Sequence, residues 1–470
     1  MTEASNFDRY LEYDFLGRSS ELERLMLYWQ NNKRIFVISG FKSIGKTRLA
    51  EQFIRNIPDK TETFPLDFRK HCIKNMTTFE HTFFELMKQK SKQLQQERLE
   101  FKDWLESLIR TLEDSHFIHL FYFDNVEDIL NTESTDDFLE FLTILVKSSE
   151  QIKIVLTSTI TTHFARLGPI CHNERVLPLS LEDSIALLKS VCQGMNLGEY
   201  SVPLAKLCEG LPLAIIMTGC DLSDAEGFIS PIEMVEILIC NRLHALSQEF
   251  YPAEDRIDSA INVYIKNHSE VFRQRLSALC SMQEKAIELD KVQEKVGEGM
   301  SMSFMKLKLL QPMLNRNLVD WDLTKQKLVV HGLLKDYILV QDALRDMPEE
   351  VGTSNVNKDA LMVRMKENMK LLGMNADEVE RLYRENPNTL QQEVKEFFEE
   401  VHNDTEQQNQ YLSTRVCLDA LKVDPEILVT GGSRAKFALK NIACCPDRPI
   451  DELPLKTSQK LHVWLFSQPR

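Results

Sequence analysis

No apolar run in this chain is long enough to cross a bilayer. The longest, such as 211–218, fall far short of the roughly 18 residues required. The first residues carry Glu3, Asp8, Glu12 and Asp14 where a secretory signal would be basic and then apolar, so no leader is expected. None of the ten cysteines forms a C-x-x-C pair, and no zinc site is expected. Cys72, Cys171, Cys192, Cys208, Cys220, Cys240, Cys280 and Cys417 read mostly as reduced core thiols; Cys444 and Cys445 are adjacent. Positive charge is scarce as well: 56 Lys and Arg against 71 Asp and Glu leave a net charge of −15. A large basic face is unexpected, which makes nucleic acid or an anionic membrane an unexpected partner. With neither a span nor a leader expected, the cytoplasm is the expected location. No fixed repeat period is present, so leucine-rich and propeller arrays are excluded too. What remains is 470 residues, 43% apolar and 27% charged, enough for several packed cores and about three domains on the usual length scale.

The most informative segment is 34–54, RIFVISGFKSIGKTRLAEQFI. Ile35 to Ile38 read as a buried strand, and Leu49, Ala50 and Phe53 recur at helical spacing. Between them Gly40, four residues, Gly45, Lys46 and Thr47 make the strand, loop and helix of a P-loop. The spacing has a physical basis. Gly40 and Gly45 allow backbone angles that turn successive N–H groups inward on a phosphate, and the helix beginning near Lys46 adds the positive end of its dipole. Lys46 is expected to reach the β- and γ-phosphates, and the Thr47 hydroxyl to complete a Mg²⁺ shell. Ser43, Ile44 and Arg48 complete the expected phosphate-binding set.

Such a loop needs a second acid for its metal, normally at the end of a neighbouring buried strand. Residues 117–128, FIHLFYFDNVED, form a continuous apolar run ending in Asp124. Lys46 and Asp124 are therefore the candidate catalytic residues, and Thr47 and Asp124 the candidate metal ligands. TFPLDF (63–68), IKIVLT (152–157) and RVL (175–177) read as further strands, separated by amphipathic stretches at 79–112 and 136–147. This alternation predicts an α/β fold with a doubly wound parallel sheet, the P-loop, Asp124 and the segment after Thr157 sharing the rim at the strands' carboxyl ends.

In this order the motifs resemble the NB-ARC division of the STAND signalling NTPases, the nucleotide-binding core of plant NLR immune receptors and animal apoptosome proteins. The resemblance runs over roughly residues 15 to 340. Phe15, Leu16, Gly17 and Arg18 resemble the family's N-terminal motif, whose backbone lies along the adenine and ribose. Asp124 with Asn125, Val126 and Glu127 resembles its metal-binding strand end, and LPLSLEDSIALL (177–188) the start of its first helical domain. Gly210, Leu211, Pro212, Leu213 and Ala214 are similar to the GLPLA motif, in which the proline packs against the adenine. VVHGLLKDY (329–337) resembles the end of the winged-helix domain, where a histidine, His331 here, contacts the β-phosphate of ADP and holds the closed state. The resemblance thus adds Leu16, Gly17, Arg18, Pro212, Leu213 and His331 to the binding set.

It implies a signalling switch that binds ADP or ATP with Mg²⁺ and acts in innate-immune or cell-death-like signalling through protein partners or nucleotide-controlled self-association. Three departures temper that. The family's arginine after the fourth strand is replaced by Thr157, Ser158 and Thr159; a second acid after Asp124 is replaced by Asn125; and the aspartate after the histidine is replaced by Gly332, which is expected to loosen the closed form. An amide cannot take a proton from an attacking water, so hydrolysis is expected to be slow or absent. The alternative is a non-switching scaffold or adaptor with a structural ADP or a degenerate site. A motor of the AAA+ type is disfavoured, because it requires rapid turnover and a trans-acting arginine that the sequence does not reveal.

The expected domains are a P-loop NTPase domain at 1–178, a helical domain at 179–250, a winged-helix domain at 251–344, a linker at 345–357 and a C-terminal all-α region at 358–470. Within the third, LVDWDL and KLVV read as a hairpin turning near Thr324 to Gln326. The stretch 251–340 is close to neutral, which argues against DNA binding. With so few residues ahead of Phe15, no N-terminal effector domain of death or Toll type is expected.

Overall fold

The computed structural model describes residues 13–345, less short gaps that include 91–100, 225–228 and most of 247–268, and a few positions between 366 and 373. Nearly all of the expected linker and C-terminal region, with Cys417, Cys444 and Cys445, lies outside the described residues.

Five strands, β1 (Ile35–Gly40), β2 (Thr61–Asp67), β3 (Ile118–Asp124), β4 (Ile152–Ser158) and β5 (Cys171–Val176), form a sheet in the order β2-β3-β4-β1-β5. Every neighbouring pair is parallel. β1 and β4 are buried along their whole length, as a strand covered on both faces must be. Alternation along β1 shows the two coverings. Phe36 packs its ring against Trp29 of α1 (Ser19–Gln30) and Phe53 of α2 (Lys46–Arg55), whereas Ile35 and Val37 join the core on the other side. That second core is aromatic: Phe79 and Phe83 of α3 (Met76–Lys90), Trp104 of α4 (Phe101–Glu113) and Phe138 and Phe141 of α6 (Thr135–Ser148) surround Phe121 and Phe123. A short α5 (Glu127–Leu130) follows β3.

Beyond the sheet come α7 (Leu181–Val191), α8 (Ser201–Leu207), α9 (Pro212–Asp224) and α10 (Pro231–Ala245). They lead to α11 (Glu270–Cys280), a small antiparallel sheet of order β6-β8-β7 and its attendant helices. β6 spans Ala286–Glu288, β7 Val319–Asp322 and β8 Lys327–Val330; α12 (Leu289–Val296), α13 (Met302–Met305) and α14 (Gln311–Asn315) lie between β6 and β7, and α15 (Gly332–Arg345) follows β8. The expected hairpin is present, with β7 and β8 paired from Val319–Val330 to Asp322–Lys327.

The amphipathic stretch 79–112 holds most of α3 and α4. Two local readings are corrected. β5 begins at Cys171, ahead of the expected 175, because its first residues, Cys-His-Asn-Glu, lie at a sheet edge and need no apolar run. Cys72 is exposed rather than a core thiol, whereas Cys192, Cys208 and Cys280 are buried.

Candidate functional site

Sheet register assembles the rim. Gly40 pairs with Val176, Ser39 with Ser158 and Asp67 with Asp124, so the loops that follow β1, β2, β3 and β4 rise from one edge. Gly40 has no room for a side chain, since a Cβ there would lie 2.7 Å from the Val176 carbonyl. Gly45 takes φ +92° as the cap of α2, and Ser43 also takes a positive φ, 64°. No side chain caps the first N–H groups of α2, so they and the positive end of the helix dipole open onto the loop.

Lys46 turns back on that loop. Its Nζ donates to the carbonyls of Gly40 (3.2 Å) and Phe41 (3.0 Å), and the side chain is buried. Burial pushes its pKa down to about 7, against the pull of Glu127 and Asp124. Lys42 is lowered to about 8, by burial and then by the charge of Arg69.

Thr47 and Asp124 are brought together: the Thr47 hydroxyl lies 3.0 and 3.1 Å from the two carboxylate oxygens. The Thr157 hydroxyl also donates to Asp124, and Asn125 Nδ2 donates to it at 3.0 Å. Burial raises the Asp124 pKa, and the hydroxyls of Thr157 and Thr47 oppose the rise. A hydroxyl and a carboxylate are hard oxygen donors; Mg²⁺, which keeps several waters and shares phosphate oxygens, fits such a sparse set. Among the described residues no group of three or more His, Cys, Asp or Glu forms a larger cage.

Arg18 braces the loop from behind. Its guanidinium donates to the carbonyls of Ile44 (3.1 Å) and Leu177 (2.7 Å) and pairs with Glu21 at 3.0 Å. Gly17 packs against Asp183 of α7, and Arg48 donates to the Tyr13 carbonyl at 2.9 Å. Pro212, the first residue of α9, stands over the loop: a Cβ on Gly45 would meet its Cγ at 3.7 Å. Leu16 and Leu213 are half-buried beside these contacts.

His331 reaches the loop from the other end of the described chain. Its ring stacks on Phe41, and the two residues line a small cleft with Ile44, Val176, Pro178 and Leu318. His331 Nδ1 accepts the Leu333 N–H at 3.3 Å, which puts the proton of the neutral ring on Nε2. That Nε2 is buried and has no partner among the described residues, a donor waiting for an acceptor. Burial lowers the ring's pKa to about 4 and keeps it neutral.

Gly332 leaves no gap at this end. Its N–H donates to Glu209 Oε2 at 3.1 Å, and Glu209 fills the space a side chain would take. The buried Arg242 links Glu209 (2.9 Å) to Asp336 (2.8 Å), and Lys285 adds a second cation to Glu209 at 2.6 Å. The space over Gly332 is thus taken by a carboxylate from the turn before α9. Sequence reasoning missed Glu209, Arg242, Lys42 and Arg69; the one available signal was Arg242 just beyond the apolar run 237–240 of its helix.

A family model described as an AAA domain matches residues 30–164. No curated protein matches the chain. Among solved structures, the Walker-type ATPase of Pyrococcus abyssi is similar with a TM-score of 0.50 at 12% identity, over 69% of this chain and 96% of that one. The ORC2 protein of Aeropyrum pernix aligns with a TM-score of 0.45 at 12% identity over 71% and 98%. A STAND protein with a tetratricopeptide repeat sensor from Pyrococcus horikoshii aligns with a TM-score of 0.33 at 16% identity, over 97% of this chain and 61% of that one. No helix among the described residues is long and apolar enough to cross a membrane. The loop, the rim and the five parallel strands make this part of the chain an α/β P-loop NTPase domain, a fold that implies a bound nucleotide and usually Mg²⁺.

Proposed function

We propose that the protein is a nucleotide-dependent signalling switch of the NB-ARC/STAND type, with slow or no ATP hydrolysis. The observation that carries this is the buried, partnerless Nε2–H of His331 beside the phosphate loop. A phosphate oxygen is the acceptor that such a donor lacks. In this reading 1–178 is the NTPase domain, 179–250 a helical domain and 251–344 a winged helix. Lys46, the loop N–H groups and His331 hold the diphosphate, Thr47 and Asp124 hold Mg²⁺, and Pro212 and Leu213 cover the base. Bound Mg²⁺ would neutralise phosphate charge.

The switch works through differential affinity: ADP favours the arrangement in which His331 touches the loop, and ATP favours one in which it does not. Contacts worth about 4 kcal/mol shift such an equilibrium roughly a thousandfold, within reach of a few charge-assisted bonds. The resemblance supplies the setting, cytoplasmic innate-immune or cell-death-like signalling through self-association. Replacing Lys46 by Ala should abolish nucleotide retention; unchanged ADP content in the purified variant refutes the assignment.

One observation favours the rival, a non-switching scaffold with structural ADP or a degenerate site. Lys46 is already satisfied by two loop carbonyls and must give them up to serve a phosphate. Denaturing the purified protein, identifying released nucleotide and comparing its oligomeric size in ADP and ATP separates the two. A size that changes with nucleotide supports the switch, and a constant size supports the scaffold.

A further inference from the structure

The tail of β4 lacks the cation that the resembling family places there; 157–161 reads Thr-Ser-Thr-Ile-Thr. Its polar groups are committed instead to neighbours at both ends. Toward the metal position, the Thr157 hydroxyl donates to Asp124 and accepts the Asn125 N–H at 2.9 Å, while the Thr157 carbonyl accepts the Val126 N–H at 3.1 Å. Toward the small sheet, the Thr159 carbonyl accepts Asn317 Nδ2 at 2.9 Å, and Thr161 gives its N–H and its hydroxyl to the Asn315 carbonyl at 2.9 and 3.1 Å. A contact on the candidate metal ligand and a contact on the segment that opens β7 thus lie within one short stretch of backbone.

Thr157, Ser158, Thr159 and Asn317 are almost wholly buried, so water cannot readily stand in for a bond that this line gives up. Asn317 is suited to the junction. It takes a positive φ of 53°, which Asn adopts more readily than most residues. Its side chain works in two directions, Nδ2 on the Thr159 carbonyl and Oδ1 on the Nε–H of Arg175 at 3.0 Å. Arg175 also holds the hairpin independently, through the Val319 carbonyl at 3.3 Å and the Asp320 carboxylate. The seating of β7 therefore has one tie to β5 and a second to the strand end that touches Asp124.

Asp124 already accepts the hydroxyls of Thr47 and Thr157 and the Asn125 amide. A cation bound there competes with those donors, and Thr157 is the one whose displacement is carried along β4. We infer that the tail of β4 reports occupancy of the metal position to the β7–β8 hairpin, with Asn317 as the positioning residue that receives the report. Metal at Asp124 loosens Thr157, the Thr159 carbonyl shifts with it, and the Asn317 bond weakens. This rests on the nucleotide reading above and deepens it: His331 reads the phosphate, and Asn317 reads the metal through a separate line of contacts.

The test is hydrogen exchange of the full chain in ADP with Mg²⁺ and in ADP with EDTA, at an ADP concentration that protects α2 in both. In the unaltered chain Mg²⁺ should speed exchange in β7 and β8 by about fivefold, the size expected when one buried hydrogen bond is weakened. Asn317→Gly keeps the positive φ and removes the side chain, and should bring that response below about twofold. Asn317→Asp keeps the acceptor for Arg175 but sets a carboxylate oxygen against the Thr159 carbonyl, and should do the same; it carries the test if the glycine variant melts early. A merely structural role would speed exchange equally with and without Mg²⁺ and leave the ratio as it was. The response should survive in His331→Ala, which removes only the phosphate contact. Retention of the full ratio in a folded Asn317 variant overturns the inference, as does its loss in His331→Ala, or a hairpin in the unaltered chain that ignores Mg²⁺ while α2 stays protected. Failure of ADP to protect α2 in the unaltered chain overturns the nucleotide reading as well.

Discussion

The imidazole of His331 lies flat against the ring of Phe41, with centroids 5.2 Å apart and planes 11° from parallel. Phe41 is the first residue of the phosphate loop after β1, and His331 is the residue between β8 and α15. Whatever moves the loop therefore bears directly on how the last helix and its small sheet are seated. Neighbouring ties point the same way: Asn317 Nδ2 donates to the Thr159 carbonyl at 2.9 Å, and Thr161 donates to the Asn315 carbonyl through both its N–H and its hydroxyl.

A double-mutant cycle measures that coupling. Phe41→Ala and His331→Ala should each lower the unfolding free energy, and the double variant should lose less than the sum by about 0.5–1.5 kcal/mol, the usual worth of a stacked pair beyond its buried area. Denaturant titration of the four proteins gives the number. Strict additivity would show that the rings touch without supporting each other.

Acid should weaken the same contact. In the folded chain His331 remains neutral down to about pH 4, whereas its ordinary value is 6.5. Between those pH values the unfolded chain binds the extra proton, so stability falls as pH drops from 6.5 to 4 and is unaffected by this residue above that window. The shift corresponds to roughly 3 kcal/mol at the low end. Melting of the unaltered chain and of His331→Gln between pH 7.5 and 4 isolates the effect from that of the carboxylates. The gap between the two should change across the window, and parallel curves would count against a buried neutral ring.

How far these features were legible from the residues differs by kind. The P-loop was readable because its glycines, lysine and threonine answer a local backbone problem, and β1, β3 and β4 because a strand covered on both faces must be apolar throughout. β5 was cut short at an edge where polar residues are tolerated, and β6 with α12 escaped because three strand residues carry no period. Pairings between distant residues were beyond reach. Nothing local in Glu209 says that it will fill the space over Gly332, and nothing in Arg69 says that it will meet Glu127; register and helix packing decide both.

The buried charge cluster should be a major prop of the closed arrangement. Arg242 carries both Glu209 and Asp336, with all three side chains almost wholly out of water. Burial works against the charge on Arg242, but the two carboxylates overcome it and hold the guanidinium firmly protonated. Arg242→Met would strip the guanidinium from two buried carboxylates and leave Glu209 only the half-exposed Lys285; breaking a buried pair in this way typically costs about 3–5 kcal/mol. Adding Glu209→Gln and Asp336→Asn to that variant should recover part of the loss. Thermal melting reads both, and a single variant as stable as the parent would show that the pairs are not made in solution.

Gly332 offers the sharpest structural test, because the space for a side chain is already taken. A Cβ there would lie 1.7 Å from Glu209 Oε1 and 2.8 Å from Arg242 Nη2. Gly332→Ala must therefore displace the Glu209 carboxylate, breaking its bonds to the Gly332 N–H and to Arg242. Gly332→Asp does the same and adds a like charge beside Glu209. Alanine should destabilise by about 2–3 kcal/mol, on the scale of one broken buried charge contact, and aspartate by more. Hydrogen exchange should rise first in α15, whose first residue is Gly332 and whose Asp336 shares Arg242. Equal or greater protection of α15 in Gly332→Asp would mean that the new carboxylate takes over Arg242 from Glu209, and that this chain tolerates at 332 the residue the resembling family carries there.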